Sequence, residues 1–121
     1  MTAQARAAAL SAAVAERDHV RLGAELTEDV RLRALLPGGL VEHQGRDEVL
    51  GVFDGWFRDY RVIELAAADG GDIGDRLFVN YRLVFEPETD PHVLAQTWIA
   101  SVNAEGLIFR IDLLCSGFRK P

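Results

Sequence analysis

The sequence predicts an α+β fold: a cone of three helices in the N-terminal half, packed on a strongly curved antiparallel sheet. Helical periodicity occurs only in the first half, from Leu10 to about Leu26 and from Gly45 to Tyr60. Turn residues then separate strands of about ten residues, and strands of that length must twist and bend. Helices on one face of such a sheet can close a cone around a cavity.

The first quarter of the chain is predicted to hold two helices and a strand. Residues 1–9 are rich in alanine, which indicates a frayed start to the first helix. Asp18 is suited to cap a short second helix. Thr27–Asp29 is expected to end the helical stretch, and Val30–Leu36 alternates in polarity as a strand does.

A turn, a helix and a strand meander follow. Pro37-Gly38-Gly39 is a turn signal, after which Leu40–Glu42 is expected to pair back as a short hairpin arm. The helix predicted at 45–60 carries its apolar residues at three- and four-residue spacing: Val49, Phe53, Trp56, Phe57 and Tyr60. The strands predicted after it are 62–68, 76–85, 92–102 and 107–118, separated by turns at 69–72, 87–91 and 103–106.

Length and charge limit the partners. The chain has 121 residues, which predicts a single domain over 1–121. Thirteen Lys and Arg against nineteen Asp and Glu give a net charge of −6, which repels nucleic-acid phosphates and anionic membrane surfaces. We therefore expect no nucleic-acid partner and no membrane partner.

Cysteine and histidine usage argues against metal and cofactor chemistry. Cys115 is the only cysteine, so an intrachain disulfide and a paired-thiol zinc site are excluded. His19, His43 and His92 are too far apart for a helical or hairpin metal motif, so we expect no metal and no cofactor. The N-terminus lacks the apolar core of a signal peptide, and the cytoplasm is the expected location.

Three blocks of residues carry a resemblance to a known family. They are Glu16–Asp18 with Leu26–Val30, Gly45–Val49 with Phe53 and Trp56–Phe57, and Gly106–Asp112. In this order and spacing the chain resembles the nuclear-transport-factor-2-like superfamily, in its bacterial polyketide-cyclase (SnoaL-like) branch. The resemblance implies a hydrophobic pocket, often in a homodimer, and it leaves the chemistry open because members differ in function.

The acid and base residues that the resemblance would supply are missing. The general-base Asp of the ketosteroid isomerases would fall near Ala34, their oxyanion-hole Asp near Trp98 and their first-helix Tyr near Leu10. Proton abstraction next to a ketone needs an acid and a base at such places. Arg110 and Asp112 resemble part of an epoxide-hydrolase cluster, but strand alternation directs them away from the pocket.

Strand alternation sorts the remaining candidates by face. It places Val30, Leu32, Ala34 and Leu36, then Leu77, Val79, Tyr81, Leu83 and Phe85, then Phe109, Ile111, Leu113 and Cys115 inward. Strand 92–102 is apolar on both faces, and only the resemblance puts Trp98 inward with Gln96. The predicted pocket residues are Tyr81, Gln96, Trp98, Cys115, His43, Phe53 and Trp56.

Each candidate has a structural alternative. Tyr81 and Gln96 could orient a ligand or could satisfy each other's hydrogen bonds. Trp98 could form the floor of a pocket or fill it. Cys115 is best explained as a small core residue, and His43 as a solvated loop residue beside the pocket opening.

A sheet that is apolar on both faces suggests that the outer face is also covered. We expect a homodimer through an outer patch of Phe78, Val84, Val93, Thr97 and Ile99, rimmed by Arg33, Arg82, Arg110 and Asp112. Two functions follow from the whole pattern. One is an isomerase, cyclase or hydrolase that acts on a small hydrophobic molecule, and the other is a non-catalytic ligand-binding or dimerisation module.

Overall fold

A computed structural model describes the backbone of residues 1–121 and every side chain except that of Ile63. The helices are α1 (Ala3–Ala15), α2 (His19–Ala24) and α3 (Arg46–Phe57). The strands are β1 (Leu26–Leu36), β2 (Gly39–Gln44), β3 (Val62–Ile73), β4 (Arg76–Phe85), β5 (His92–Val102) and β6 (Ile108–Cys115).

One sheet holds all six of these strands, in the order β2-β1-β6-β5-β4-β3. Neighbours are antiparallel except β1 and β6, which run parallel, so the sheet is mixed and not closed. Helix α1 packs against β3 and β4, and α3 packs against β1 and β2. The predicted α+β class is confirmed, and the arrangement is consistent with a cone.

The N-terminal elements begin earlier than the sequence predicted. Helix α1 starts at Ala3, where the Thr2 hydroxyl accepts a hydrogen bond from the Ala5 amide at 3.0 Å. Fraying of its first turns in solution stays a prediction. Asp18 caps α2 as expected, by accepting from the Arg21 amide at 3.1 Å. Strand β1 starts at Leu26 instead of Val30, because Leu26 already pairs with Ile108 of β6.

The turn predicted at residues 69–72 is wrong. Strand β3 continues to Ile73 and the chain reverses at Gly74, which has a φ of 60°. Gly70 instead permits a close approach, since an added Cβ would collide with the Phe78 carbonyl oxygen and with Ala7 of α1. Gly70 therefore lets the first helix lie directly on the sheet.

Face assignments hold for the central strands. All five inward residues predicted for β4 are buried, and in β5 Leu94, Gln96, Trp98 and Ala100 are buried. In β6 the placement of Phe109 is wrong, because its side chain is 43% exposed and Ile108 is buried instead. The β5–β6 pairing skips Phe109 between Val102↔Ile108 and Ser101↔Arg110, and this bulge reverses the alternation.

Helix α3 has its predicted apolar face but ends earlier. Val49, Phe53 and Phe57 are buried, and the helix ends at Phe57 instead of Tyr60. Tyr60 then stacks on Phe118 near the C-terminus, with ring centroids 4.3 Å apart. Within the part of the chain that the structure describes, no helix is long and apolar enough to cross a membrane.

Candidate functional site

A small apolar cavity of about 140 Å³ lies between the ends of several strands and the end of α3. It is lined by Leu36, Pro37, Trp56, Leu94, Gln96, Cys115, Gly117 and Phe118. An apolar cavity of about 150 Å³ in another protein stays dry and binds benzene. The space therefore suits one small ring and not a polycyclic molecule.

A chain of buried polar side chains stands behind the cavity. The Trp98 indole Nε1 donates to the Tyr81 hydroxyl at 2.9 Å, and that hydroxyl donates to Gln96 Oε1. Gln96 Nε2 in turn donates to Cys115 Sγ at 3.4 Å. Strand register explains the arrangement, because Tyr81, Gln96 and Cys115 are directly opposite one another on β4, β5 and β6.

The chemistry of the donors fixes the direction of this chain. An indole N–H can only donate, so the Tyr81 oxygen must act as the acceptor. The Tyr81 proton then goes to Gln96, which orients the amide with its oxygen towards Tyr81 and its NH₂ towards Cys115. Gln96 is therefore held in one orientation by bonds on both sides of its amide.

Burial raises the pKa of Tyr81 well above its usual value of 10.0, while the hydrogen bond from Trp98 lowers it by less. A phenolate would lose its hydration in the core, and desolvation penalises the charged form. Tyr81 therefore keeps its proton at physiological pH. It serves as a neutral hydrogen-bond donor and not as a base.

Six of the seven predicted pocket residues form two groups, and His43 lies apart from both. Gln96, Cys115 and Trp56 line the cavity. Tyr81, Trp98 and Phe53 are buried outside its lining, with the rings of Phe53 and Trp98 5.4 Å apart. Tyr81 and Gln96 hydrogen-bond to each other, which is the structural alternative raised above for these two residues.

His43 lies apart from these residues. It is in strand β2, not in a loop, and its Nδ1 is 3.4 Å from the Glu48 carboxylate. The surrounding groove on the surface is lined by charged residues, among them Arg31, Arg33 and Glu42. Its side chain is about one-third exposed, which agrees with a solvated histidine.

Sequence reasoning missed part of the cavity wall. The sequence places Pro37 only in a turn, and Gly117 and Phe118 only at the end of a strand, whereas all three line the cavity. The available signal was a glycine followed by an aromatic residue at the end of an alternating strand. A glycine at such a position often marks a bulge.

Acid–base groups are scarce around the cavity. Leu10, Ala34 and Trp98, at the positions where the resemblance would place catalytic groups, are all buried in the core. The described lining contains no carboxylate and no imidazole. Arg110 and Asp112 pair with each other at 3.3 Å, opposite Ser101 and Ile99 of β5, away from the cavity lining. Among the described residues no cluster of three or more His, Cys, Asp or Glu could hold a metal ion.

Comparisons with known proteins agree with the fold. No protein-family model matches the chain, and no curated protein matches its sequence. A presumed isomerase from Bacillus subtilis superposes with a TM-score of 0.71 at 11% identity, over 96% of this chain and 90% of that one. A presumed isomerase of the SnoaL-like family from Agrobacterium tumefaciens has a TM-score of 0.64 at 21% identity, over 97% and 100% of the two chains.

A third structure is similar to the same extent. A presumed ketosteroid isomerase from Kribbella flavida has a TM-score of 0.62 at 18% identity, over 100% of this chain and 85% of that one. Identities this low show the fold alone. The fold that the resemblance predicted is therefore confirmed, because the chain shares it with these structures.

Tyr81→Phe is expected to lower the free energy of unfolding at pH 7 by about 1–3 kcal/mol, because the Trp98 N–H and the Gln96 carbonyl lose their partner. Above about pH 10 the unfolded chain releases the Tyr81 proton and the folded chain keeps it. Above about pH 10 the free energy of unfolding should therefore fall with rising pH more steeply in the wild type than in Tyr81→Phe. The difference in slope is up to ~1.4 kcal/mol per pH unit.

Urea unfolding at pH 7 to 11 measures both effects. Tyr60→Phe, at the chain's other and exposed tyrosine, is the matched control and should change stability little at pH 7. Equal slopes for wild type and Tyr81→Phe above pH 10 would show that Tyr81 ionises freely in the folded protein.

Proposed function

We propose that this protein binds one small apolar molecule, about the size of a six-membered ring, in the cavity in front of Gln96 and Cys115. One observation carries the proposal: the cavity of about 140 Å³ has an apolar wall, and its described lining holds no carboxylate and no imidazole. Binding by shape and exclusion of water needs only such a wall.

The size of the cavity sets the expected affinity. Burying a ring of six atoms stabilises a complex by a few kcal/mol after the loss of translational freedom. This corresponds to a dissociation constant on the order of 0.1–1 mM.

Isomerisation is the second candidate, and the names of the similar structures favour it. They are presumed isomerases, one of them of the SnoaL-like family and one a ketosteroid isomerase. Moving a proton within a bound ketone requires a base at the cavity, and Cys115 is the titratable residue in the described lining. In this scheme Cys115 acts as the base, which takes the proton from one carbon and returns it to another.

We further propose that the outer sheet face forms a homodimer. Ile99 is 40% exposed on β5, and the band continues through half-buried Phe78 of β4. Leu114 and Leu35, opposite each other on β6 and β1, extend this band with 56% and 50% exposure. Exposed apolar side chains on one sheet face, with charged neighbours such as Asp112 and Arg33, occur at protein interfaces.

Benzene is expected to bind the wild type and to shift the NMR signals of Leu36 and Leu94, which line the cavity. Cys115→Met adds volume to the lining and should weaken binding by at least about tenfold. Leu114→Met is the matched control, because Leu114 is 56% exposed on the outer face. Equal benzene affinities for Cys115→Met and the wild type would rule out this cavity as the binding site.

The isomerase candidate is tested with 3-cyclohexen-1-one, a one-ring ketone whose conversion to the conjugated 2-cyclohexen-1-one is followed by ultraviolet absorbance. If binding is the whole function, the protein converts this ketone no faster than buffer. Conversion that disappears in Cys115→Ala, which removes the thiol and leaves the cavity open, would instead establish proton transfer through Cys115.

A dimer through the outer face predicts a mass of twice 13.3 kDa in analytical ultracentrifugation. Ile99→Asp should shift the equilibrium to the monomer, since it places a charge within the apolar band. Val20→Asp on α2, where Val20 is 85% exposed, should leave the dimer intact. A wild type that sediments as a monomer at 100 μM or above would refute the interface.

A further inference from the structure

We infer that Phe118 sets the upper size of the ligand: its ring closes one end of the cavity, so the site selects one-ring over two-ring molecules. The inference rests on the proposed binding function and assigns its size limit to one side chain. Phe118 lines the cavity together with Trp56 and Leu94.

The Phe118 ring occupies space that would otherwise extend the cavity. It stacks on Tyr60 at a centroid distance of 4.3 Å and meets Phe85 edge-on at 5.1 Å. Phe85 is fully buried, so the space behind the Phe118 ring is apolar. Removal of this ring would join that space to the cavity.

A bulge in the C-terminal segment directs Phe118 inward. Strand β6 pairs Cys115 with Gln96, and the Ser116 amide donates to the Ala95 carbonyl at 2.9 Å. The next bridge joins Arg119 to Val93, through hydrogen bonds of 2.7 and 2.9 Å. The C-terminal segment therefore contains one residue more than β5 over this stretch, which defines a bulge.

The extra residue reverses the alternation of side chains. In an unbroken register Phe118 would lie opposite Val93, on the outer side of the sheet. With the bulge, Arg119 takes that place and Phe118 turns towards the cavity. Gly117 makes the bend possible, because its φ of 74° is unfavourable for other residues. An added Cβ would also lie 2.6 Å from Pro37 Cγ.

Bulges occur frequently beside binding sites, where they redirect a side chain. Here the hydrogen bonds on both sides of the bulge hold Phe118 in place. The wall is therefore a fixed part of the fold, and the size limit follows from the position of the Phe118 ring.

The test compares the binding of benzene and naphthalene by NMR titration. The wild type is expected to bind benzene and to bind naphthalene at least about tenfold more weakly than Phe118→Ala does. Phe109→Ala, which truncates an exposed phenylalanine on the outer side, is the matched control and should behave as the wild type.

The outcomes separate the two proposals. If Phe118→Ala binds benzene but gains nothing for naphthalene, the size limit lies elsewhere and this inference is overturned. If the wild type binds neither probe but Phe118→Ala binds naphthalene, Phe118 limits access and only the proposed ligand size is wrong. If no variant binds either probe, both proposals fail. Should Phe118→Ala not fold, Phe118→Leu replaces it, with a smaller gain in the same direction.

Discussion

The indole N–H of Trp98 is the constraint on which the rest of the site depends. It is fully buried and can only donate, so an acceptor must be brought to it inside the core. Tyr81 supplies that acceptor at 2.9 Å, and its own proton must then go to Gln96. These hydrogen bonds fix the Gln96 amide beside Cys115, behind the cavity. Each of these four side chains has a hydrogen-bond partner, so the core holds neutral polar groups without leaving one unsatisfied.

The cavity remains open because neither the hydrogen-bonded residues Trp98, Tyr81 and Gln96 nor the aromatic rings of the core fill the space beside Trp56 and Phe118. Phe53 and Trp98 fill the interior with their rings 5.4 Å apart, and Trp56 and Phe118 form walls of the remaining space. A space of about 140 Å³ between such walls favours a ligand chosen by shape. The fold is the one seen in the similar presumed isomerases. The described cavity lining, however, contains one titratable side chain, the thiol of Cys115.

Much of the fold could be predicted from the sequence, because period-two and helical patterns report directly on burial. Strand β4 is the clearest case, since all its alternate residues from Leu77 to Phe85 are buried. The polarity pattern could not predict the bulges at Phe109 and Gly117, because one extra residue in a pairing leaves that pattern unmarked. Only the glycine itself signals the second bulge. The sequence predicts a turn at Gly70, because a turn and a close helix–sheet contact both favour glycine and look alike in the sequence. Strand alternation therefore predicts the buried polar residues Tyr81 and Gln96, which lie in regular stretches of strand. It does not predict that Phe118 lines the cavity, because that depends on a bulge.

A crystal structure determined under xenon pressure would test the central claim, that the cavity is a dry apolar site closed behind by the Trp98–Tyr81–Gln96 chain. Xenon binds in empty apolar cavities and not in hydrated ones. The account predicts one xenon atom between Trp56, Leu94 and Phe118, with the hydrogen bonds of the chain unchanged. Ordered water molecules bonded to Gln96 in place of xenon, or side chains collapsed into the space, would contradict it.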